Sequence, residues 1–113
     1  MNVRFNGIGD LVATFQTASA ELGDVVKISE NGTVEKAGDS DGFCGQVVSK
    51  NGGYVGVQIK GAMELPCTDG SLELGRAQIV PDGNNGVKKA AEGGVAALIV
   101  EKDTSANMVT LIV

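Results

Sequence analysis

The chain has 113 residues, 42% of them apolar, with nine basic and fourteen acidic side chains, a formal net charge of −5 and no histidine. That is one ordinary domain with a modest core and little to spare for a catalytic cleft. The charge argues against nucleic acid or an anionic membrane as partner, both of which need clustered basic residues. The missing histidine removes every Ser-His and Cys-His catalytic pair.

The first ten residues lack the apolar core of a signal peptide, so the sequence reads as a protein made in the cytoplasm without a cleaved leader. Asn6, Gly7 and Gly9 disfavour regular structure. Residues 1–10 are therefore expected to form an N-terminal arm, with Phe5 and Ile8 as its apolar docking residues, the alternative being a plain first strand packed on the barrel.

From residue 11 onward the pattern is short β-branched runs punctuated by glycine, of which there are 17 against two prolines. This marks many short strands joined by tight turns. Strands are predicted at 11–16, 24–29, 33–37, 43–50, 54–60, 62–66, 76–80, 86–90, 95–102 and 107–113. Asn31-Gly32 and Asn85-Gly86 are hairpin signals, read as type I′ turns. The longest apolar run, Val109 to Val113 with one Thr, is far short of the roughly 20 residues of a membrane helix.

The chain also repeats itself. Glu21-Leu22-Gly23-Asp24-Val25 matches Glu73-Leu74-Gly75-Arg76-Ala77, and each leads to an Asn-Gly pair. Val34-Glu35-Lys36-Ala37 matches Val87-Lys88-Lys89-Ala90, and Gln46-Val47-Val48-Ser49-Lys50 matches Leu98-Ile99-Val100-Glu101-Lys102. The spacing implies a duplicated unit of roughly 40 residues. The expected fold is all-β: a small barrel or sandwich built from two duplicated four-strand units, closing on each other as half-barrels. Residues 11–113 form one barrel domain, with repeat one at 21–60 and repeat two at 73–113.

Alternation assigns faces. Val55, Val57 and Ile59 point inward, with Gly56, Gln58 and Lys60 outward. In the second copy Val109, Leu111 and Val113 point inward, but the outward set Met108, Thr110 and Ile112 is largely apolar, as are Leu98 and Val100 on the neighbouring strand. Either these are central strands covered within the chain, or another subunit buries their outer face. The second option makes Leu98, Val100, Met108 and Ile112 an oligomer interface.

Other motifs are weaker. Asp39-Ser40-Asp41-Gly42 opens like a calcium loop, but the fifth and twelfth positions are Phe43 and Lys50. The glycine-rich stretches lack a P-loop ending. Asn31-Gly32-Thr33 matches a glycosylation sequon but reads as a hairpin turn. Cys44 and Cys67 read as free thiols, with a bridge left open by the sequence, and two cysteines without histidine cannot make a standard zinc site. No metal, cofactor or enzymatic activity is expected.

The run Leu22 to Ile28, then Asn-Gly-Thr-Val, then Phe43 to Val48, then Gly53 to Gly61, resembles the bacteriophage capsid decoration proteins, also called cement or head-stabilising proteins. Leu65-Pro66, Leu74-Gly75 and Pro81 to Lys88 continue the resemblance, which covers residues 11–113. It implies a β-barrel virion protein of a phage or prophage, not an enzyme, that binds the outside of the assembled head. The partner would be the major capsid protein and the oligomer a homotrimer. The resemblance does not reach residues 1–10; on the arm reading, Phe5 and Ile8 are the apolar side chains that dock in a groove between coat subunits. The alternatives are a tail, baseplate or fibre-associated β-domain of a phage, or a small ligand-binding barrel of the host. The 4% aromatic content weighs against sugar binding.

Overall fold

The computed structural model describes residues 10–113, so the predicted arm, apart from Asp10, and with it Phe5 and Ile8, lies outside the described residues. Ten strands follow in order: β1 (Leu11–Gln16), β2 (Val25–Glu30), β3 (Thr33–Lys36), β4 (Gly45–Asn51), β5 (Tyr54–Lys60), β6 (Ala62–Pro66), β7 (Gly75–Pro81), β8 (Val87–Lys89), β9 (Val95–Asp103) and β10 (Met108–Ile112). All ten fall where the glycine-punctuated runs predict them, within a few residues at each end.

The strands make two five-stranded sheets. The first runs β1-β3-β2-β4-β5 and closes into a small barrel through β1 and β5; the second runs β6-β10-β9-β7-β8 and stays open. The expectation of two four-strand halves sharing one barrel is corrected. Leu11–Gln16 and Ala62–Pro66, read as flanking strands, are full members of the sheets. β1 pairs with β5 from Leu11↔Lys60 to Gln16↔Tyr54, and β6 pairs with β10 from Ala62↔Ile112 to Pro66↔Met108. With a fifth strand, each half completes its own sheet.

One residue accounts for the difference between closed and open. At the end of β1, Gln16 N–H donates to the Gly32 carbonyl at 2.9 Å, and Gln16 pairs with Thr33 to seal the barrel. Pro66 ends β6 in the matching place, opposite the first residue of β10. Proline has no N–H to give. Gly86, just before β8, still approaches closely, since a Cβ there would stand 2.4 Å from the Pro66 carbonyl oxygen. The seam is narrow but not laddered.

The two hairpins β4–β5 and β9–β10 share an irregularity. Val47 pairs with Val57 and Ser49 with Gly56, which leaves Val48 as an extra residue. Ile99 pairs with Leu111 and Glu101 with Thr110, which leaves Val100. Each is a β-bulge, which bends its strand and sharpens the local twist. The Asn31-Gly32 turn is not type I′. Gly32 has φ 68°, but Asn31 is not among the residues with positive φ, and the ladder slips between Ile28 and Glu30. The hairpin thus carries a bulge at Ser29, and its turn has only Gly32 at positive φ, where a primed type I turn needs both central residues there. At 85–86 the positive angle falls on Asn85, at 67°.

Two cores result. Val26, Val34, Val47, Val55 and Val57 fill the first barrel with Ala20, Phe15, Cys44 and Ile59. Met63, Leu65, Leu72, Ile79, Val87, Ile99, Val109 and Leu111 fill the second. Adjacent residues of β2 serve different cores: Val26 faces the first barrel, while Val25 belongs to the second cluster with Ala37 and Phe43. Side-chain alternation along β2 thus stitches the halves together.

Polar contacts complete the joint. Asn85 accepts the Val25 N–H on Oδ1 at 2.7 Å and donates from Nδ2 to Asp24 Oδ1 at 3.1 Å. Lys88 pairs with Asp39 at 2.6 Å, and Ser40 N–H donates to the Pro81 carbonyl. Gln58 points outward as expected but is buried, because its Nε2 donates to the carbonyls of Lys60 and Ala62 at the link between the sheets.

Candidate functional site

The four residues predicted as an oligomer interface lie together on the outer side of β9 and β10. Leu98 and Ile112 are direct cross-strand partners. Met108 begins β10 and Val100 is the bulged residue of β9. All four are half-buried. The same face carries Glu64, Thr110 and Glu101 in one cross-strand row. Thr110 is buried, and Glu101 keeps one carboxylate oxygen away from solvent with no hydrogen-bond partner.

Alternation along the strands did not foresee where the most exposed apolar side chains stand. They are Leu22 (65%) and Leu74 (64%), followed by Tyr54, Val12, Ile28, Leu11 and Val48. Most of these belong to the first barrel. Val12 and Ser49 lie over Gly56 on its outer face: a Cβ on Gly56 would meet Ser49 Oγ at 2.4 Å and a Val12 methyl at 3.3 Å. Reading strand interiors missed both leucines because they sit in the turns before β2 and β7. The signal that finds them is the repeated Glu-Leu-Gly at 21–23 and 73–75.

The Asp39–Asp41 loop turns its carboxylates onto protein groups. Asp41 accepts the Gly38 N–H at 2.7 Å and pairs with Lys27 at 3.0 Å. Those bonds, the Gly38 amide first, hold its carboxyl below the ordinary range. Asp39 is held low by Lys88 and then Ser40. Lys27 is raised by hydrogen bonds to Asp41 and Glu35. Among the described residues no three Cys, Asp or Glu side chains cluster as metal ligands do. Beside this loop a cleft of about 420 Å³ is lined by Asp41, Phe43, Ile79, Glu92 and Val95, among others.

Cys44 and Cys67 are both free, and they belong to different cores. Burial pushes both thiols up, away from the reactive thiolate. Lys102 donates to the Leu72 carbonyl and is thereby tied to the loop after Cys67.

Among the described residues no helix is long and apolar enough to cross a membrane. No protein-family model and no curated protein matches the sequence. The exposed apolar side chains gather on surfaces: the turn leucines, the outer face of the first barrel, and, half-buried, the β9–β10 face.

Proposed function

We propose that this chain is a structural protein of a phage or prophage virion that binds the outer surface of the capsid and stabilises the coat lattice. The observation that carries the reading is the strand-and-turn pattern of head decoration proteins across residues 11–113. Ten glycine-punctuated strands in two tightly joined sheets are compatible with it: a small rigid body that presents surfaces rather than a deep cleft.

The two sheets stem from one duplicated unit, now of five strands rather than four. What supports this is the common order of strands, with β1 to β5 matching β6 to β10 in their neighbours, and the shared bulge at Val48 and Val100. The protein acts without catalysis, as a homotrimer joined through Leu98, Val100, Met108 and Ile112, with the major capsid protein as partner. Its place is the capsid surface, after synthesis in the bacterial cytoplasm.

The mechanism is mass action. A protein that binds the mature lattice better than free coat or the immature shell shifts the equilibrium toward that lattice. A trimer engages several coat contacts at once, so weak single contacts sum to tight binding.

The test mixes the purified protein with empty heads and, separately, with tails of the phage or prophage that carries the gene. Sedimentation with heads and regular added density on them by negative stain are expected. Binding to tails alone would move the protein to the tail or baseplate; binding to neither would end the virion reading.

A further inference from the structure

Asparagine followed by glycine occurs within the described residues at 31–32, 51–52 and 85–86. The pairs are identical in sequence and differently held in the fold. Asn31-Gly32 and Asn51-Gly52 stand at the tips of the β2–β3 and β4–β5 hairpins, and all four residues are exposed. Among the described residues neither asparagine side chain is hydrogen-bonded, and neither Gly32 nor Gly52 donates its N–H. Asn85-Gly86 is the reverse. Asn85 Oδ1 accepts the Val25 N–H at 2.7 Å and its Nδ2 donates to Asp24 at 3.1 Å. Gly86 is buried, and its N–H donates to Asp82 Oδ1 at 3.0 Å.

The pair carries a reaction of its own. The glycine amide nitrogen gives its proton to solvent base and attacks the asparagine Cγ. A C–N bond forms, the bond from Cγ to the amide nitrogen breaks, and ammonia leaves with a proton from water. Water then opens the five-membered succinimide at either carbonyl, which yields aspartate or isoaspartate. Glycine favours the attack because it has no Cβ to crowd the nitrogen. The reaction needs a side-chain amide that can turn and an N–H that solvent base can reach.

We propose that the turns at Asn31-Gly32 and Asn51-Gly52 are sites of spontaneous conversion to aspartate and isoaspartate, and that the fold protects Asn85-Gly86. At Asn85 both ends of the amide are tied, so Cγ cannot swing toward the nitrogen. The Asp82 carboxylate holds the Gly86 proton and disfavours the anion its loss would create. The protected site is the one where the product would do most harm, since a carboxylate there would face Asp24.

The two open sites flank one strand end. Gly32 gives its carbonyl to the Gln16 N–H and Gly53 gives its carbonyl to the Thr17 N–H, each at 2.9 Å. Isoaspartate routes the backbone through the side chain and lengthens it by one methylene, which displaces these carbonyls. Conversion therefore loosens the end of β1, where Gln16 and Thr33 seal the first barrel.

The experiment holds full-length protein at mildly alkaline pH for weeks, folded or unfolded in urea. Peptide mapping by mass spectrometry, with fragmentation that tells isoaspartate from aspartate, follows each asparagine. In the folded protein Asn31 and Asn51 should each convert at least about tenfold faster than Asn85, and in urea the rates should converge. Asn85 keeping pace with either turn in the folded protein, or either turn as slow as Asn85, overturns the assignment. Rates in urea that keep the folded-state order overturn it as well, because the fold is then not the cause. Amide hydrogen exchange at Gln16 and Thr17 should be faster in the aged protein; unchanged exchange at both overturns the link to the seam.

Discussion

Replacing Asn85 with alanine tests whether the joint between the sheets is held by one side chain. The amide bridges the two halves: Oδ1 takes the Val25 N–H, and Nδ2 reaches Asp24. Val25 is 1% exposed, so its N–H has no water to turn to once Asn85 is cut back. An unsatisfied buried donor costs about 1–3 kcal/mol, and the lost bond to the Asp24 carboxylate adds on the order of 1.5 kcal/mol. Asn85 also sits at φ 67°, where alanine is roughly 1 kcal/mol worse than a residue that tolerates the left-handed region. The expected total is about 4 kcal/mol, a large share of the stability of a domain this size. Asn85→Gly removes both hydrogen bonds but not the backbone freedom, so it should cost about 1 kcal/mol less than alanine. Asn85→Asp keeps the acceptor for Val25 but sets a carboxylate against Asp24. That like-charge contact should leave it less stable than the parent. Urea unfolding followed by far-UV circular dichroism measures all three, since the chain has no tryptophan. An alanine variant within about 0.5 kcal/mol of the parent would show that the halves are held by Val25, Ala37 and Phe43 packing alone.

Four further outcomes follow from the packing and charges. Gly45→Ala would place a Cβ 2.1 Å from the Gln58 carbonyl oxygen; backbone cannot step aside, so a loss of about 3 kcal/mol or more is expected, while Gly42→Ala, with nothing within 4 Å, should melt like the parent. The carboxyls of Asp39, Asp41, Asp69 and Asp103 are all held low, chiefly by hydrogen bonds; their stabilisation is complete above the unfolded value near about 3.9 and is lost as pH falls through their folded values, so melting temperature should drop on acidification below about pH 4, and a flat profile there would contradict these assignments. Leu98→Lys with Ile112→Lys should turn a trimer into monomers in sedimentation velocity, because the contact cannot bury two unpaired ammonium groups; a parent that is monomeric at high concentration refutes the β9–β10 interface. Truncation after Gly61 strips Val25, Ala37 and Phe43 of their core partners, and the fragment should fail to unfold cooperatively; a sharp two-state melt would mean that the first barrel stands alone.

Strand positions were legible because they depend on local chemistry: glycine at turns and β-branched residues between them set all ten. Sheet membership was not, because it depends on pairings far apart in sequence. Nothing local in Leu11–Gln16 says that it pairs with Tyr54–Lys60 rather than flanking a four-strand unit. The turn at Asn31 failed for a similar reason. Asn-Gly permits a primed turn, but the ladder from Lys27↔Glu35 to Ile28↔Val34 leaves Glu30 opposite Thr33, and the extra residue is absorbed as a bulge with Gly32 alone at positive φ.

The surface was least legible, and its two parts fail differently. Leu98, Val100, Met108 and Ile112 were found by alternation, which tells inside from outside of a sheet but not how far neighbours lean over a side chain; each proves half-buried in the single chain. Leu22 and Leu74 were invisible to alternation because turns have no faces. Comparison of the halves reveals them, and it also separates what the fold requires from what it does not. The glycine after each leucine answers to a backbone angle. The bulge at Val48 and Val100 answers to the bend of the β4–β5 and β9–β10 hairpins. Pro66 in place of Gln16 shows that even barrel closure was free to differ between the halves. The outer side of β9 and β10 is where the two hairpins differ most: it carries Leu98, Val100, Met108 and Ile112 where β4 and β5 carry Gln46, Ser49 and Gln58, and neither core sets that difference, because both cores lie on the other side of these strands.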